Sequence, residues 1–159
     1  MIASVLRQPM PPVALLLAVL FSVLSPLSAG AGYGAITVIR PWARAAAVAG
    51  RPMAVYLRLQ NSGPDDRLTG IETPAAARAA LHESERQGGI TRMRMVKFLD
   101  LPGGGGAELA PGGAHIMLFS PRPGLSAGTT LSLTLFFRHH PPLAVVVPVY
   151  KPGSKGPVD

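Results

Sequence analysis

The chain contains no cysteine. It therefore cannot be cross-linked by disulfides, cannot hold a metal through thiolate and has no thiol chemistry, so a fold without any such staple must rest on an apolar core. Aromatic residues are scarce, with one Trp, three Tyr and five Phe in 159 residues. The arginines are scattered from Arg40 to Arg138 without a cluster. A formal charge of +7 would fit nucleic acid, but without grouped cations and stacking rings between them the pattern argues against it. Acidic residues number only eight, which leaves a surface suited to acidic partners.

Long apolar runs are also lacking, apart from one. Val13 to Leu27 is apolar, follows the positive Arg7, is interrupted late by Pro26 and leads into Ser28-Ala29-Gly30-Ala31. This is the layout of an export signal, with Ala29 and Ala31 forming an A-x-A cleavage pattern, and residues 1–31 are expected to be a signal peptide. The run is short for a membrane span; an uncleaved anchor is the alternative. Removal leaves 128 residues (159 − 31), enough for one domain with its own core. Only Arg7 is lost among the charged residues, so the formal charge falls by one from +7 to +6. The expected localisation is periplasmic or secreted.

Over residues 32–150 the pattern is that of an all-β domain. Short apolar or alternating runs at Ile36–Ile39, Ala54–Leu59, Met93–Leu99, His115–Phe119, Leu131–Phe137 and Leu143–Val149 are separated by Gly, Pro, Asn and Asp. That spacing predicts a sandwich or small barrel. Asn61 to Asp66 reads as a turn and Gly103 to Gly106 as a flexible loop. One stretch conflicts with this pattern: Pro74 to Leu81 is Ala-rich, and its local propensity favours a helix starting near Pro74. Residues 151–159 mix Pro, Gly and charge without apolar periodicity and are expected to form a disordered tail.

Chemistry concentrates in His82, Met93, His115 and Met117. Two imidazoles with two thioethers suit Cu(I): sulfur without charge is ignored by hard cations, and zinc sites are built from Cys, His and carboxylate. In a strand, His115 and Met117 share a face and form a bidentate half-site, with Ile116 pointing the other way. Met93 lies in another extended run and His82 before Gly88-Gly89, so a hairpin-like return there could bring both toward one end of the sandwich. Met95 shares a face with Met93, so the residues alone leave the choice between them open. Taken singly, a strand Met is ordinarily core filler, as Met53 after Pro52 also reads, and a lone His is ordinarily hydrogen-bonded. His139-His140 is a rival metal pair, although neighbours on a strand face opposite sides. Trp42 reads as a buried anchor.

The spacing of His82, ten residues, Met93, twenty-one residues and His115-x-Met117 resembles the copper signature of the PCu(A)C family of periplasmic copper chaperones. Pro41-Trp42-Ala43-Arg44-Ala45, Asn61-Ser62-Gly63, Leu81-His82-Glu83, Gly88-Gly89 and Leu109 to Leu118 extend the likeness over residues 36–147. The resemblance implies a cupredoxin-like Greek-key β-sandwich holding Cu(I) near one end through His82, Met93, His115 and Met117. It further implies a carrier rather than an enzyme, one that supplies copper for the cytochrome c oxidase centre alongside a Sco-type thiol protein. Copper storage or resistance would use the same site; a small copper-dependent redox enzyme and a structural β-sandwich without metal are the other rivals. A monomer or a weak metal-bridged dimer is expected. The absence of Cys excludes a blue-copper centre.

Overall fold

The structure, a computed structural model, describes residues 35–157. The expected signal peptide lies outside the described residues. Among the described residues there are ten strands: β1 (Ile36–Arg44), β2 (Met53–Asn61), β3 (Asp66–Glu72), β4 (Ala76–Gln87), β5 (Ile90–Met95), β6 (Leu99–Leu101), β7 (Gly106–Leu109), β8 (Ala114–Pro121), β9 (Thr130–Phe137) and β10 (Leu143–Tyr150). They hydrogen-bond in the order β5-β4-β8-β2-β1-β10-β9-β3-β6, with β7 also on β2. The two halves of this order meet at a short parallel pairing, Ala43 with Val149 and Arg44 with Tyr150. The expected all-β class is borne out.

Alternation explains how the halves form two layers. Val55, Leu57, Leu59, Leu81, Ile116 and Leu118 from one half and Leu68, Leu101, Leu133, Leu135, Val145 and Val147 from the other are all buried in a single core cluster. Only a sheet folded over on itself can place the inner faces of both halves in one core. Each such side chain contributes about 1.5–3 kcal/mol by leaving water. Met53, 2% exposed, is core as its sequence context indicated.

The turn at Asn61 is closed by a buried, fully engaged amide. Asn61 Nδ2 donates to the carbonyls of Pro64 (2.6 Å) and Leu101 (3.0 Å), and Oδ1 accepts from the Gly63 N–H (2.9 Å). The glycine run that follows is not a flexible loop. Gly105 N–H donates to Pro102 O (3.1 Å), and Gly106 opens β7 against β2. A Cβ on Gly103 would fall 2.6 Å from Gly63 O, and one on Gly106 would collide with Leu59 O. Here glycine serves close backbone approach rather than freedom.

The Ala-rich stretch is the other correction. Residues 76–87 form β4, which is paired on both sides, with β8 from Ala76 to Glu83 and with β5 from His82 to Gln87. The β8 ladder along this stretch and burial of Ala76 and Leu81 outweigh helix propensities that differ by tenths of a kcal/mol per residue. The run expected over Met93–Leu99 is likewise split, β5 ending at Met95 and β6 beginning at Leu99 on a different partner. Beyond Tyr150 the described residues form no regular element; Ser154 N–H donates to Lys151 O, and Gly156 lies against the Trp42 indole.

Candidate metal centre

The site is assembled by cross-strand register. Gly88 and Gly89, with φ of +57° and +80°, form the tight turn that pairs β4 with β5. Positive φ at both central residues is the hairpin turn whose twist matches that of the strands. On one side of β4, His82 lies directly opposite Met95; on the other, it lies directly opposite His115 of β8. Met117 follows two residues after His115 on the same face, opposite Ala80 of β4 and Ala54 of β2. Met93 stands opposite Ser84, one same-face pair nearer the turn. Directly opposed residues share a face with Cβ atoms about 5 Å apart, so the two imidazoles are neighbours. Their ring centroids are 6.1 Å apart.

The reverse face of this hairpin projects past the core and is polar. Arg94, opposite Glu83, binds Glu83 Oε2 through Nη2 (2.5 Å) and Glu85 Oε1 through Nε (3.3 Å). Such exposed pairs are worth under about 1 kcal/mol. They nevertheless favour the register that faces His82 toward Met95.

The two histidines are prepared differently. The His115 side chain is buried, with Nδ1 2.9 Å from the Gly113 carbonyl. A carbonyl can only accept, so Nδ1 carries the proton and the lone pair sits on Nε2, the tautomer a metal ligand requires. His82 is the reverse case: both ring nitrogens are buried, and neither has a hydrogen-bond partner. Buried polar atoms are almost always paired, and an unpaired one costs about 1–3 kcal/mol. An imidazole kept from water without partners is what a metal would satisfy. Burial, then the charges of His115 and Arg78, hold the His82 pKa below the ordinary 6.5, so its neutral, ligating form persists into mild acid.

A shell of rings surrounds the pair. Phe119, two residues beyond Met117, lies 5.5 Å from the His82 ring, and Arg78 sits 4.3 Å over Phe119. Behind His115 stands Tyr56 at 6.3 Å, tilted in turn by 35° against Trp42 at 4.5 Å, with the Arg44 guanidinium 5.3 Å from Tyr56 and 5.5 Å from Trp42. Burial raises the Tyr56 pKa, partly offset by the Arg44 charge. Trp42 is the buried anchor its context indicated. Phe119 could have been found by continuing the alternation from Met117; Tyr56, Arg44 and Arg78 depend on strand order, which no local pattern carries.

His139 and His140 do something else. Their backbone N–H groups donate to the Asp66 carboxylate (3.1 and 2.9 Å), and His140 Nδ1 lies 2.7 Å from Pro141 O. These bonds tie the end of β9 to the start of β3; burial pushes the Asp66 pKa up, but N–H bonds from Arg67 first, then from His140 and His139, hold it below the ordinary value. Among the described residues no group of three or more His, Cys, Asp or Glu could hold a metal. A metal at His82 and His115 must therefore complete its sphere with sulfur or leave it open. Neutral donors beside Arg44 and Arg78 favour a soft monovalent ion over a divalent one.

Fold and site together define a small all-β metal-site domain of the PCu(A)C type. Comparison with known proteins is consistent: the chain belongs to the LpqE-like family, whose model matches residues 36–149. It is 34% identical over 117 residues to "Putative lipoprotein Lxx21020" of Leifsonia xyli subsp. xyli (strain CTCB07), covering 72% of this chain and 69% of that protein. It is 30% identical over 108 residues to "Uncharacterized protein RP573" of Rickettsia prowazekii (strain Madrid E), covering 65% of this chain and 60% of that one. Among solved structures, Cu(I)-DR1885 of Deinococcus radiodurans aligns with a TM-score of 0.58 at 30% identity over 76% of this chain and 83% of that one. The apo PCuAC domain of PmoF2 aligns with a TM-score of 0.66 at 22% identity over 79% of this chain and 97% of that domain, a likeness of fold.

Proposed function

We propose that this domain binds one Cu(I) through His82, Met93, His115 and Met117 and carries it to an acceptor outside the cytoplasm. The observation that supports this most is the opposed histidine pair, His115 fixed in a ligating tautomer and His82 with two buried, unpartnered nitrogens. Methionines flank that pair on the same face. Cu(I) has a filled d shell and little geometric demand, so donors on neighbouring strands can hold it without a constrained cage. The copper-bound relative named above is in keeping with such cargo.

Carriage rather than turnover follows from the donor set. Four neutral ligands hold the reduced ion and give little stabilisation to Cu(II), which an enzyme cycling electrons would need. Thioethers bind more weakly than thiolates, so transfer to a cysteine-bearing acceptor runs downhill. The acceptor we infer is a Sco-type thiol protein or the copper subunit of cytochrome c oxidase. Periplasmic localisation rests on the signal-like residues 1–31 and on a relative named as a lipoprotein. This chain has no cysteine for a cysteine-linked lipid, so lipid attachment of that kind is not carried over.

Retention of one equivalent of Cu(I) after anaerobic dialysis against a mild chelator tests binding, and loss of all copper refutes it. Deleting the protein tests destination: defective cytochrome oxidase supports delivery, whereas copper sensitivity with normal oxidase refutes delivery in favour of resistance.

A further inference from the structure

We propose that Met95 is a Cu(I) ligand alongside Met93, so that β5 presents two thioethers that alternate on one ion. This rests on the copper-carrier reading and deepens it. Met95, not Met93, is the residue directly opposite His82, which makes Met95, His82 and His115 one row across three strands. Met93 is displaced from that row by two residues along β5, about 6.6 Å at strand rise. Met117 is displaced from the same row by two residues along β8, in the opposite sense along β4, because it faces Ala80 while Met93 faces Ser84. An ion on His82 and His115 is thus flanked by Met117 on one side of the row and Met93 on the other, with Met95 in the row itself.

Neither β5 methionine has a packing role to explain it. Met93 is 53% and Met95 61% exposed, and every residue of β5 is exposed. Large apolar side chains this exposed, side by side on one strand face, are otherwise an aggregation liability. β5 is also the terminal strand of the sheet order, laddered to β4 alone. A methionine has three rotatable bonds, and on a compliant edge either sulfur can swing to the ion. The exchange is a ligand substitution: one Cu–S bond forms as another breaks, the ion stays Cu(I), and no proton or electron moves because thioethers do not titrate. Consequently the ion can shift toward the exposed hairpin tip before release without passing through a state that lacks β5 sulfur.

Methyl-¹³C-methionine NMR of the protein, titrated anaerobically with Cu(I) supplied as its acetonitrile complex, reads each sulfur separately. Met53, in the core, is the internal control. The expected result is that one equivalent shifts the Met95 methyl together with those of Met93 and Met117 and leaves Met53 in place. Met93→Leu and Met95→Leu should each weaken Cu(I) by less than about tenfold, and the double variant by about a hundredfold, the span that disturbing a metal site covers. A stationary Met95 methyl while Met93 and Met117 move, or Met93→Leu as weak as the double variant, overturns the proposal and leaves the carrier reading intact. No uptake of Cu(I) by the parent protein overturns both.

Discussion

Replacing His82 by leucine should make the metal-free domain more stable. In the folded protein both His82 nitrogens are buried without partners. A neutral imidazole has one donor and one acceptor to satisfy, and a buried orphan costs about 1–3 kcal/mol, so the ring carries a penalty of about 2 kcal/mol or more. Leucine removes that penalty and fits a half-buried strand position. It forfeits the ring contacts with Phe119 and His115 at 5.5 and 6.1 Å, worth about 0.5–1.5 kcal/mol. The balance is a gain of about 1 kcal/mol, or a Tm higher by about 4 °C for a domain of this size. Urea unfolding of the two metal-free proteins measures it. Cu(I) at a hundred times its dissociation constant should then add about 2.7 kcal/mol to the parent and far less to His82→Leu. A metal-free variant less stable than the parent by 1 kcal/mol or more would mean that the His82 nitrogens are satisfied in solution, and the case for a site held open for a metal would fail.

Acid should act through the same residue. The His82 pKa is lower in the fold than its ordinary 6.5, so as pH falls through about 6.5 the unfolded chain takes up the proton first. Stability of the metal-free protein should therefore drop below about pH 6.5 and be flat above it, and His82→Leu should lose less; equal slopes in urea titrations at pH 7 and pH 5 would refute this. Met117→Leu, similar in volume, should cost under about 1.5 kcal/mol in urea yet weaken Cu(I) by at least about tenfold in chelator competition; unchanged affinity would return Met117 to a packing role. Ile116→Ala, at a site with no exposure, should cost about 2–5 kcal/mol, and a loss below 1 kcal/mol would place Ile116 outside the core. Gly106→Ala should detach β7 from β2 and speed amide exchange at Leu59 and Ala107; parental protection there would refute the close approach.

The half-site was legible because it is local. His115-x-Met117 needs only the two-residue alternation of a strand, and Gly88-Gly89 announces the hairpin return that brings His82 and Met93 toward one end. What the chain did not disclose is register. That His82 faces Met95 and that β4 lies between β5 and β8 are decided by which ladders close over Leu81 and Ile116, and those contacts span more than thirty residues. The Ala-rich opening of β4 reads locally as helix for the same reason: its β8 ladder is a long-range partner that local preference does not carry. The glycines at 103 and 106 read as loop because close backbone approach and flexibility draw on the same residue.

X-ray absorption at the copper edge of the Cu(I)-loaded protein tests the central claim most directly, since it counts sulfur and nitrogen neighbours of the ion. Two sulfurs and two imidazole nitrogens are expected. A sphere of nitrogen and oxygen alone would contradict the account, because it would leave the methionines of β5 and β8 without the role assigned to them.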